Sequence, residues 1–106
     1  MKAEELRIGN LVIYGGSVVK MNLHEFTHFL RFPETYMPIT LTEEILLKCG
    51  FVNWDKVDDC YIIKGLIIWK CNEMFLCYKN GVHIKYLHQL QNLYFALTNE
   101  ELEINL

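Results

Sequence analysis

Apolar positions along the chain alternate between two spacings, one near every second residue and one near every third or fourth. Residues 6–14 (Leu-Arg-Ile-Gly-Asn-Leu-Val-Ile-Tyr) are mostly strand formers, and Ser17-Val18-Val19-Lys20-Met21 resumes the same character after Gly15-Gly16. A Gly-Gly pair between two such runs predicts a tight hairpin, because a primed turn requires positive φ, which glycine adopts at little cost. Residues 23–32 (Leu-His-Glu-Phe-Thr-His-Phe-Leu-Arg-Phe) fit both periods: Leu23, Phe26 and Leu30 are helically spaced, while His24, Phe26 and His28 alternate. The Phe and Thr content favours a strand. Pro33 ends the run, and residues 34–38 read as a loop.

Residues 42–49 carry a helix with both ends specified. Thr42 can cap the free N–H groups of the first turn, with Thr40 as the rival cap. Glu43 and Glu44 sit at the positive end of the helix dipole and Lys48 at the negative end. Gly50 can take the left-handed conformation that stops the helix, and Phe51 folds back on Leu46 or Leu47.

From Cys60 the pattern is again that of strands. Cys60–Ile63, Leu66–Trp69, Met74–Tyr78 and Val82–Ile84 are separated by Lys64-Gly65, Asn72-Glu73 and Asn80-Gly81. Short strands divided by such dipeptides make an antiparallel meander. Residues 86–97 then return to helical spacing, with Leu87, Leu90, Tyr94 and Leu97 in one stripe and Asn99 as a helix stop. The tail Glu100–Leu106 alternates acidic and apolar residues, which suits a charged edge strand.

Together these elements predict an α+β fold in a single domain over 1–106. It has an antiparallel β-meander, open to curling into a partial SH3-like barrel, with two helices (about 42–49 and 86–97) packed on it. The chain has 106 residues, 52% of them apolar, enough for one core, and 22% charged. The N-terminus has Glu4 and Glu5 where a secretory signal would be apolar, and the longest apolar runs fall far short of the roughly 20 residues of a membrane span. The expected setting is therefore cytoplasmic, with no membrane association. The four cysteines, Cys49, Cys60, Cys71 and Cys77, form no CxxC pair and are expected as buried thiols.

Three segments carry a family likeness: Leu6-Arg7-Ile8-Gly9-Asn10-Leu11-Val12, residues 38–51 (Pro-Ile-Thr-Leu-Thr-Glu-Glu-Ile-Leu-Leu-Lys-Cys-Gly-Phe), and residues 88–98 (His-Gln-Leu-Gln-Asn-Leu-Tyr-Phe-Ala-Leu-Thr). The set resembles a family of small uncharacterised proteins from gut-dwelling Bacteroidetes, their prophages and mobile elements. The resemblance implies a phage or mobile-element setting and a cytoplasmic site of action, and it transfers no functional residue. Separately, the opening hairpin is similar to the first hairpin of SH3-like small barrels, which implies binding of peptides or nucleic acid.

Chemistry-bearing motifs are few. His24-Glu25-Phe26-Thr27-His28 satisfies the HExxH pattern of zinc proteases, whose two histidines share a helix face. The strand-like character of the run and the lack of a nearby third ligand argue for surface histidines instead. Cys77 with His83 is a weaker catalytic pair, since Cys77 lies between Leu76 and Tyr78. Glycine-rich phosphate loops and serine elbows do not occur in the sequence. No catalytic residue, cofactor or metal is expected.

Lys64, Lys70, Lys79 and Lys85 face Glu73 alone between Cys60 and Thr98, a local charge of +3, with Tyr61, Trp69 and Tyr78 interleaved. That arrangement can serve single-stranded nucleic acid, or simply the solvated positions of a meander. The whole chain has a net charge of −3, which disfavours a phosphate-gripping role. Fourteen aromatic residues exceed the evident needs of so small a core. The expectation is a non-enzymatic binding or adaptor protein. Tyr36, Trp54, Tyr61, Trp69 and Tyr78 would be exposed together against a protein partner or a second copy. A nucleic-acid module using residues 60–90 is the second reading, and a zinc hydrolase through His24 and His28 the third.

Overall fold

The computed structural model describes residues 1–54 and 58–106. The fold is α+β and antiparallel throughout, with two open sheets where the sequence suggested one. The chain divides into two compact units, one formed by residues 1–40 and 86–101, the other by residues 41–85 and 102–106.

In the first unit, β1 (Leu11–Tyr14) pairs with β2 (Ser17–Lys20) through the Gly15-Gly16 turn, whose φ values of 59° and 80° require glycine-like freedom. The short β3 (Tyr36–Met37) lies on the other side of β1, giving the order β2-β1-β3. Leu6, Val12, Met21, Phe29 and Tyr36 form the buried core, with Met1, Ala3, Val19 and Phe26 packed against it.

Residues 23–32 are helical, contrary to the strand expectation: α1 spans Leu23–Arg31. Asn22 caps it, its side chain accepting from the Glu25 N–H at 2.8 Å. Burial of Phe29 against the first-unit core outweighs the weak strand preference of Phe and Thr.

α3 (Leu87–Thr98) completes this unit. Gln89 accepts from the Tyr86 N–H at its start, and Asn99 ends it at φ 59°. Leu87, Leu90 and Tyr94 are buried as the stripe predicts, but Leu97 is 47% exposed. The buried side of α3 instead includes His88 and Gln91. Gln91 donates to Gly9 O at 3.2 Å and accepts from the Leu11 N–H at 2.8 Å, while Asn92 donates to Glu5 O at 2.9 Å. Arg7 reaches Asn92 Oδ1 at 3.2 Å, pairs bidentately with Glu101 and lies 4.4 Å from the centre of the Phe95 ring. The Arg7–Asn10 segment and the Gln91-Asn92 pair, both part of the family-like segments, therefore hold each other.

In the second unit, α2 (Glu43–Lys48) begins where the sequence predicts. Thr42 Oγ1 accepts from the Ile45 N–H at 3.2 Å. Gly50, at φ 93°, ends it, and the Phe51 N–H returns to Leu46 O. The sheet runs in the order β4-β5-β6-β7-β8: β4 (Val52–Asn53), β5 (Cys60–Ile63), β6 (Leu66–Cys71), β7 (Met74–Cys77) and β8 (His83–Ile84). The predicted meander is thus present, with β4 added beside β5. The tail after Asn99 forms no strand. Leu102 is buried and the Asn105 N–H donates to Lys48 O, so the tail is held by single contacts and not by a ladder.

Candidate docking face of the five-stranded sheet

Strand alternation gives this sheet two distinct faces. The inner face carries Tyr61, Leu66, Ile68, Phe75, Cys77 and Ile84, all buried. The α2 residue Glu43 reaches this face: its carboxylate accepts from the Tyr61 hydroxyl and pairs with the Lys70 ammonium. The hydrogen bond to Glu43, followed by burial, pushes the Tyr61 hydroxyl up to about 12, and Lys70 followed by Tyr61 holds the Glu43 carboxyl below its ordinary value.

The outer face is built from register rows. Val52 opposes Ile62, which opposes Ile67; Cys60 opposes Trp69, which opposes Leu76, which opposes His83; Cys71 opposes Met74. Trp54 lies across from Cys60, its N–H donating to Cys60 O, and Tyr78 donates its N–H to Ile67 O. Every strand position on this face is apolar apart from His83, and none carries a formal charge. Ile62, Ile67, Trp69, Met74 and Leu76 are half-buried, while Trp54 and Tyr78 are 42% and 67% exposed. Trp69 Nε1–H is buried with no acceptor among the described residues.

Three of the five aromatic residues singled out in the sequence, Trp54, Trp69 and Tyr78, therefore share one face. Two do not. Tyr36 is 2% exposed in the first-unit core, where its hydroxyl donates to Glu25 Oε2 at 2.6 Å. Burial, followed by that bond, pushes its hydroxyl up to about 12. Tyr61 is 6% exposed on the inner face. Each tyrosine buries its ring and satisfies its hydroxyl with a carboxylate, which removes it from the surface. Alternation along β5 could have separated Tyr61 from Trp69, since they are not on the same side of the pleat.

The lysines do not share a face. Lys64 and Lys79 lie in the loops at one end of the meander, and Lys85 follows β8 at the other. Lys70 is inner-facing and bound to Glu43. Of the cysteines, Cys49, Cys60 and Cys77 are buried, and burial pushes the Cys49 thiol up to about 12. Cys71 is exposed, contrary to the expectation, because it ends β6 at an open hairpin.

His24 and His28 share helix α1, as the HExxH pattern requires, but Glu25 is engaged by the Tyr36 hydroxyl and His28 Nδ1 lies 2.9 Å from the same hydroxyl. Among the described residues, no group of three or more His, Cys, Asp or Glu side chains could hold a metal ion. Nor is any helix among them long and apolar enough to cross a membrane. In comparisons with known proteins, no family model, curated protein or solved structure matches the chain.

Proposed function

We propose that the chain is a small non-enzymatic binding or adaptor protein that acts by protein–protein contact through the outer face of the five-stranded sheet. The observation that carries this reading is the grouping of Trp54, Trp69 and Tyr78 on one uncharged, apolar sheet face. Aromatic residues are enriched and charged residues depleted at the centres of protein interfaces. The partner is a protein with an uncharged apolar surface, and the family likeness supports a contact in the cytoplasm of a host carrying a phage or mobile element. A nucleic-acid role has less support, because the lysines of residues 60–90 are divided between the two ends of the sheet and Lys70 is neutralised by Glu43.

The test compares the wild-type chain with Trp54→Lys and Tyr78→Lys variants, first by sedimentation velocity over a concentration series and then by reciprocal capture from host lysate. The expected result is an association, with a second copy or a host protein, that both variants abolish while their circular dichroism is unchanged. Association that survives both variants overturns the assignment of the face. Micromolar binding of a labelled oligonucleotide that weakens steeply with salt, and is lost when Lys64, Lys70 and Lys79 become Glu, overturns the protein-partner reading in favour of nucleic acid.

A further inference from the structure

The helical state of residues 23–31 brings His24 and His28 together on one side of α1. In a strand, positions four apart would be separated by roughly 13 Å along the chain. On a helix they are neighbours, with Cβ atoms about 5–6 Å apart. His24 is exposed and His28 half-buried. The His28 ring stands perpendicular to Tyr14, with 5.4 Å between ring centres, and lies 5.1 Å from the Phe32 ring. Its protonation is fixed as well. The Tyr36 hydroxyl donates its single proton to Glu25 Oε2 at 2.6 Å, so towards His28 Nδ1, 2.9 Å away, it acts as acceptor. The neutral His28 ring therefore carries its proton on Nδ1 and has a free lone pair on Nε2. Burial and the Glu25 bond push the Tyr36 hydroxyl up to about 12, which keeps this chain of donors intact at neutral pH.

We propose that His24 and His28 bind a divalent transition-metal ion of the zinc(II) class, His28 through Nε2, with water filling the remaining positions. Imidazole nitrogen suits such ions. A histidine ligand ordinarily donates its other ring N–H to an acceptor that sets its tautomer and orientation. Tyr36 supplies that acceptor, backed by the Glu25 carboxylate. Zinc–nitrogen bonds of about 2.0 Å place two donors roughly 3.3 Å apart at the tetrahedral angle. Neighbouring imidazoles on a helix reach that separation by rotation of the exposed His24 side chain. Both rings bind in their neutral form, and no redox step takes part. Because the Glu25 carboxylate is turned to Tyr36, it is not presented to a metal-bound water as the general base of an HExxH hydrolase. The pair thus holds an ion without the hydrolytic machinery. Two protein ligands are fewer than the three of a catalytic or four of a structural zinc site, so the ion is exchangeable. The site is independent of the docking reading, since it needs none of Trp54, Trp69 and Tyr78.

The experiment is a calorimetric titration of the full, reduced chain with zinc(II), repeated in Cys71→Ser so that the exposed thiol does not compete. One equivalent is expected to bind in both, with affinity at least about tenfold weaker in each of His24→Ala and His28→Ala. Tyr36→Phe keeps the ring and should also weaken binding by about tenfold. Long-range proton–nitrogen spectra of the metal-free chain should show the Nδ1–H tautomer of His28 and its loss in Tyr36→Phe, a change that a purely structural role for Tyr36 would not produce. Thermal melts of each variant check the fold, and His24, being exposed, can be replaced without disturbing it. Failure of the wild-type chain to bind overturns the proposal. So does binding lost in Cys71→Ser, or binding undiminished in either histidine variant, which would place the ion elsewhere or on a single imidazole. Unchanged tautomer and affinity in Tyr36→Phe overturn the positioning role of Tyr36.

Discussion

Asn10, wholly buried, donates its side-chain N–H to Asn92 Oδ1 at 2.8 Å, joining the loop before β1 to the middle of α3 across 82 residues of sequence. The same Asn92 oxygen accepts from Arg7 Nε, and Asn10 Oδ1 accepts from the Arg7 N–H at 2.7 Å. A buried amide is costly unless satisfied, and here both ends of each amide are used. Asn92→Ala would leave Asn10 Nδ2 and Glu5 O without partners, so it is expected to destabilise the chain by about 1–3 kcal/mol in urea unfolding. The double variant Asn10→Ala/Asn92→Ala should cost less than the sum of the two single changes, because the members of one network are not independent.

The two leucines of the α3 stripe should behave differently. Leu90 is fully buried, so Leu90→Ala is expected to cost about 2–5 kcal/mol. Leu97 is exposed, and Leu97→Ala should lie within about 0.5 kcal/mol of wild type. Paired thermal melts of the two variants check the assignment of the helix face.

Thr42, not Thr40, caps α2. Thr42→Ala removes the acceptor for the Ile45 N–H and should cost roughly 1 kcal/mol. Thr40 lies outside the helix in an isolated bridge to Tyr86, and Thr40→Ala should have little effect on the α2 signal in hydrogen exchange.

His88 sets an acid limit on stability. Its ring stacks on Tyr86, both ring nitrogens are buried without partners among the described residues, and burial holds its pKa below the ordinary histidine value. Glu5 opposes that shift and the N-terminal ammonium adds to it. The unfolded chain therefore takes up a proton near pH 6.5 that the folded chain refuses. Stability from this group is complete well above pH 6.5 and is lost as pH falls through and below it, with a slope of at most about 1.4 kcal/mol per pH unit. His88→Leu should flatten that acid limb without loss of stability at pH 7.5, as measured by urea midpoints across pH.

Much of this was legible locally. The Thr42 cap, the Gly50 stop and the three turns of the meander each rest on a residue whose chemistry decides its backbone, and the structure has each of them. Helix α1 runs against the Phe and Thr content of residues 23–32, and its local start signal is Asn22-x-x-Glu25, with Asn22 just ahead of that run. The burial of Tyr36 and Tyr61 depends on which carboxylates reach them, Glu25 and Glu43, and no local pattern specifies that. The Arg7–Glu101 pair and the amides of α3 are likewise non-local. Arg7, Asn10, Gln91 and Asn92 stand inside the family-like segments and Glu101 outside them, and the sequence does not show what each one meets.

Apolar side chains on both faces of the five-stranded sheet leave the folding chain with an ambiguity. In a sheet with one polar face, slipping a strand by one residue exposes its apolar set and is rejected at once. Along β5, β6 and β7 such a slip exchanges one apolar set for another, so the faces alone discriminate poorly between alignments. The turns must do it. Lys64 and Gly65 occupy φ 43° and 81°, and Asn72 occupies φ 58°. A shifted hairpin would push Ile63 or Leu66 into the left-handed region, at about 1–2 kcal/mol for each residue. Correct strand alignment in this unit is thus decided by a few turn residues at the hairpin ends, and errors there would produce mispaired chains before they produced unstable ones.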